Sequence, residues 1–352
     1  MALVEPSQFP TELLLEVMER LTFGNGSNIS NLARTHTRLR AVLGLYEHSL
    51  VRKFAQNELK HAHVDFPSEQ QGYKWLRDCV QKYDVVDDLM AMLISKHNAF
   101  PTPRHNMALV NAGLLLLYKV QSCGRIPFSF ALDLLIPSPV PRCMTYEPDL
   151  LHPVADRLRA ASHTDKLCFL KTLPKDPLTA MYLAIHHATL TARYHGEGII
   201  HQRTYGRFMD ASQISLRCDI EFCFAEASMQ LGPAFIHSSL LPIAAACSPA
   251  EVTLLNLYHD HAIHDWYVES VMEGVNGFDP PITQGPRREG GERSLWTALL
   301  ERVAELMQCP LENVRGAIEE DVAQAYHELA WLGLDGKATL MKGEDLVPAL
   351  VE

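Results

Sequence analysis

Apolar residues return every three to four positions through most of this chain, and strict alternation of apolar with polar residues is nearly absent. That rhythm predicts helices with almost no sheet, a mainly α fold. The first helix starts at Pro10, whose missing N–H leaves no bond unmade in a first turn, and Glu12 and Glu16 lie near the positive end of its dipole. Leu14, Val17, Met18 and Leu21 follow i, i+3, i+4, i+7 and line one face, while Leu13 and Leu15 add apolar surface to the side of that stripe. One helix is thus sticky on more than one side. Gly24-Asn25-Gly26-Ser27-Asn28 then interrupts the pattern with residues that tolerate positive φ or cap helices, and Ile29, Leu32 and Ala33 open a second short helix. A third is predicted from about Thr37 to Leu59, with Leu39, Val42, Leu43, Tyr46, Leu50, Phe54 and Leu59 close to helical spacing.

Further along, the spacing predicts helices over 69–80 and 85–94, with Trp75, Leu76, Val80, Val85, Leu89, Met92 and Leu93 facing inward. Pro101 and Pro103 precede another over 107–118. The strongest apolar run, 108–120, is interrupted by Asn111 and contains Lys119; it is too short to span a bilayer and reads as a buried core helix. Pro137, Pro139, Pro141, Pro148 and Pro153 cannot hold regular structure for long, which places a linker or long surface loop at 137–153. Helices are expected over 155–161, 165–173, 177–195, 208–231 and 242–247. Ser248-Pro249-Ala250-Glu251 combines an N-cap, a first-turn proline and a capping-box glutamate, and opens a helix to about Glu273. Prolines and glycines then predict a mobile loop at 276–292, and two helices over 294–308 and 311–332 close the pattern. The resulting organisation is a three-helix module at 5–60, a helical region packed on it at 61–136, the proline-rich interval, and a helical domain at 154–352. No repeat of twenty to fifty residues is present, so leucine-rich, kelch and WD architectures are excluded.

A chain of 352 residues exceeds the size at which single cores stop growing, and 47% hydrophobic residues supply ample core material. The formal charge of −11 disfavours a nucleic-acid partner, because phosphate backbones demand concentrated Lys and Arg. Arg34, Arg38, Arg40, Arg52 and Lys53 do gather locally, but Glu47 and Glu58 interleave them, the pattern of a solvated helix face. Eight cysteines, at 79, 123, 143, 168, 218, 223, 247 and 309, form no C-x-x-C pair. Such scatter fits reduced thiols in the cytoplasm or nucleus. Residues 1–10 have neither a basic nor an apolar stretch of the signal-peptide kind, so neither export nor a membrane partner is expected.

Catalytic motifs are sparse. His259-Asp260-His261-Ala262-Ile263-His264-Asp265 is rich in groups that bind metals, and on a helix His261, His264 and Asp265 share a face at i, i+3, i+4. These three are the candidate metal ligands, yet neither the H-E-x-x-H helix nor a His-x-His-x-Asp-His order is reproduced, and a partly solvated face whose His and Asp residues bond one another is the preferred reading. His186, His187, His195 and His201 have no metal-ligand spacing. No G-x-S-x-G elbow, cysteine nucleophile signature or phosphate loop occurs. The reading is therefore of a protein without a catalytic site or cofactor.

The segment from Phe9 to about Leu50 resembles the F-box family. The match is carried by Pro10, Glu12, Leu13, Leu14, Glu16, Val17 and Leu21 in the first helix, then by Leu32, Ala33, Arg34, Thr35 and Leu39. Phe9 stands where a leucine is usual and His36 where a cysteine is common; the first loop is longer than usual. The resemblance implies that these helices dock on a Skp-type adaptor and thereby join a cullin-based SCF ubiquitin ligase, presenting a protein target that the rest of the chain would hold. It assigns partner binding, mixed with local core packing, to Pro10, Leu13, Leu14, Val17, Leu21, Leu32 and Leu39. Two other readings remain open at this level: a helical metal-dependent or acid–base enzyme built on residues 259–265, and a helical scaffold whose first helices pack only internally.

Overall fold

The computed structural model describes residues 9–24, 26–98, 100–123, 152–195, 200–201, 211–241, 249–260, 293–325 and 332–346. Among them are fifteen α-helices, one 3-10 turn and no strand, a mainly α protein. Two compact units divide the chain at Asp88 and Leu89. The division falls within a helix, while most of the proline-rich interval, 137–151, lies outside the described residues, as does the predicted loop up to residue 292.

The first unit contains α1 (Thr11–Glu19), α2 (Ser27–Thr35), α3 (Thr37–Leu45), α4 (Glu47–Glu58), α5 (Ala62–Asp65) and the opening turns of α6 (Tyr73–Ile94). Leu14, Met18, Phe23, Ile29, Leu39, Val42, Leu43, Leu50, Val51, Phe54 and Leu76 form one core. The single helix expected from Thr37 to Leu59 is broken at Tyr46, where φ is −107° and ψ 19°. Unbroken, it would extend about 34 Å, too long for so small a core, and the bend lets both halves wrap the same apolar cluster. His36 caps α3: its Nδ1 accepts the Arg38 N–H at 3.1 Å. Spare backbone groups at a helix start are satisfied in this way.

The helices expected over 69–80 and 85–94 are one, because Gln81 to Asp84 include neither glycine nor proline to stop α6. Glu47 accepts the Tyr73 N–H at 2.7 Å and so caps α6, while Tyr73 donates its hydroxyl to the Leu43 carbonyl and stacks on Phe23. Burial, reinforced by the nearby Glu47 carboxylate, pushes the Tyr73 phenol above its ordinary pKa. Trp75 Nε1 donates to the Phe66 carbonyl at 2.9 Å, and the Tyr83 hydroxyl donates to the buried Asp65 carboxylate at 2.5 Å. The predicted three-helix module thus borrows its closing wall from α6.

In the second unit α7 (Arg104–Ser122) is the central helix. Its apolar run is buried on nearly every side, from Leu109 to Leu117 apart from Asn111, as an all-round hydrophobic helix must be. No helix among the described residues is long and apolar enough to cross a membrane. Around α7 lie α8 (His152–Thr172), α9 (Lys175–His195), α10 (Ala211–Leu231), α11 (Pro233–Leu240), α12 (Pro249–Asp260), α13 (Leu295–Met307), a 3-10 turn (Leu311–Asn313), α14 (Val314–Gln324) and α15 (Leu334–Lys342). The pair expected over 155–161 and 165–173 is the continuous α8. Residues 242–247 lie outside the described set, and of the helix expected to reach Glu273 the part to Asp260 is described.

Helix α9 runs so close to α7 that a Cβ on Gly113 would lie 2.1 Å from the Ala180 carbonyl oxygen. Only a glycine allows this approach. A buried carboxylate organises the other side: Glu226 on α10 accepts from Ser294 Oγ at 2.6 Å and from the Trp296 N–H at 2.9 Å, at the start of α13. Negative charge there complements the dipole and the spare N–H groups. The unpredicted α15 ends at Gly343 with φ of 81°, and two aspartates fasten the segment that follows. Asp345 accepts the Asp176 N–H and Asp176 accepts the Leu346 N–H, both at 2.8 Å.

Candidate docking surface

Helix α1 has two working faces, and the structure sorts its leucines between them. Leu14 and Met18, four residues apart, turn into the first unit's core. Leu15 and Leu21 are half-buried beside them. Val17, expected in the same stripe, is 61% exposed, and Leu13 is 49% exposed. The expected stripe is therefore corrected: Val17 leaves the core face and joins Leu13. Leu13 and Val17 stand at i and i+4 on α1, and Phe9, 39% exposed, precedes the helix on the far side of the extended Pro10. Side chains so spaced form a ridge along one edge of a helix.

The residues assigned to partner binding thus divide. Pro10, Leu13 and Val17 are exposed, Leu14 and Leu39 are core, and Leu21 and Leu32 lie between. Phe9, exposed just before the start of α1, was read only as a departure from the F-box pattern. The i+4 spacing of Leu13 and Val17 was the available signal for the exposed edge. Leu45, 77% exposed at the end of α3, is another outward apolar residue that the periodicity passed over.

Beside the ridge, Glu12 is exposed and Glu16 pairs with Arg20 at 2.5 Å across one turn. Both members of that pair are well solvated, so it contributes little to stability. Below α1, an open groove is lined by Glu16, Glu19, Arg20, Leu21 and, from α4, Lys53, Asn57 and Glu58. Glu58 accepts the Phe23 N–H at 2.7 Å and joins the ends of α1 and α4. The ridge holds no titratable or nucleophilic group. Its chemistry is contact: covering a large aliphatic or aromatic side chain contributes about 1.5–3 kcal/mol relative to leaving it in water.

The metal candidates His261, His264 and Asp265 lie outside the described residues. Of the second histidine group, His187 is buried with Nε2 3.3 Å from the Asn106 amide nitrogen, and His186 stacks on Tyr182, which stacks in turn on Trp296. Burial holds both imidazoles down to about 4. Among the described residues no three His, Cys, Asp or Glu side chains converge as a metal ion would require. The six described cysteines are unbridged, and burial pushes the Cys79 and Cys223 thiols up to about 12. Thiols so held are poor nucleophiles.

Comparison with known proteins adds no relative: no family model, no curated protein and no solved structure matches this chain.

Proposed function

We propose that the chain is an F-box-like substrate adaptor, which docks through its first helices on a Skp-type adaptor and brings a protein target to a cullin ubiquitin ligase in the cytoplasm or nucleus. The observation that carries this reading is the exposed pair of Leu13 and Val17 on α1, beside the face that Leu14 and Met18 lock into a core. The residue order from Pro10 to Leu39 supplies the class of partner. A scaffold packed within the first unit would bury both faces of α1, and the exposure of Leu13 and Val17 there favours docking over that alternative. No catalytic group is needed. The protein would act by holding a target near the ubiquitin-conjugating enzyme, which raises its effective concentration there.

Co-expression of the full chain with a Skp-type adaptor, followed by affinity capture, tests the reading. The wild-type chain is expected to retain the adaptor, and Leu13→Asp with Val17→Asp to lose it while keeping the helical circular dichroism of the parent. A wild-type chain that captures no adaptor overturns the proposal.

A further inference from the structure

We draw no further inference here: the strongest candidate, the cluster of His105, His186 and His187 where α7 and α9 pack in the second unit, with hydrogen-bonding atoms of His187 and Asn106 buried and unpartnered, carries nothing because its side chains do not converge as a metal site and nothing in the structure shows what would occupy the place.

Discussion

Leu13 and Leu14 are neighbours with opposite fates, and substitution should separate them. Leu14→Ala removes a buried side chain from the first unit and is expected to cost about 2–5 kcal/mol in thermal or urea unfolding, whereas Leu13→Ala should stay within about 0.5 kcal/mol of the parent. Equal losses would show that Leu13 is covered in solution. Glu226 is the second decisive residue. Glu226→Gln sets an amide against the N–H groups that start α13, and a loss of about 1–3 kcal/mol is expected. An unchanged urea midpoint would refute that cap. His186 and His187 set a pH dependence whose sign follows from burial. Their folded pKa values lie near 4, below the unfolded value of 6.5, so the unfolded chain binds more protons between these limits. The stability they contribute is complete above about pH 6.5 and is lost as pH falls toward 4. Urea midpoints of the parent and of His187→Gln should therefore differ in pH slope across that window, the parent being steeper. Parallel slopes would refute the burial argument. Neither histidine's burial was legible in the sequence, since spacing along α9 does not say which helices come to cover it.

Among the elements, α1, α7 and α13 were well marked in the sequence, each by a feature local to itself. Pro10, the apolar run through Leu117 and the apolar spacing over 294–308 are all signals within the element they define. Breaks and mergers were not so marked. Tyr46 is an ordinary helix residue, and the bend beside it follows from the small core that α3 and α4 must share. The close approach of α7 and α9 is likewise invisible in sequence, where Gly113 reads as a mild weakness within a helix. Gly113→Ala tests it. A methyl group directed at the Ala180 carbonyl must push the two helices apart, and a loss of about 1–3 kcal/mol is expected despite the better helix propensity of alanine. A stabilised variant would show that the approach is looser than described.

For the whole molecule, the proposed docking should appear as linkage as well as capture. A partner that binds only the folded first unit raises its stability by mass action, about 2.7 kcal/mol when the free partner is a hundredfold above its dissociation constant. Thermal unfolding of the full chain with increasing Skp-type adaptor should show a first-unit transition moving upward, and the shift should vanish in Leu13→Asp with Val17→Asp. By itself the sequence determined that the chain is helical and where its strongest helices start, because periodicity, caps and proline positions act within a turn or two. Tertiary structure decided which of the apolar residues on α1 are spent on the core and which remain outside. It also joined the opening turns of α6 to the first unit and buried Glu226 against α13. Those outcomes depend on neighbours tens of residues away, such as Leu50, Phe54 and Leu76, whose meeting with Leu14 and Met18 leaves Leu13 and Val17 facing water.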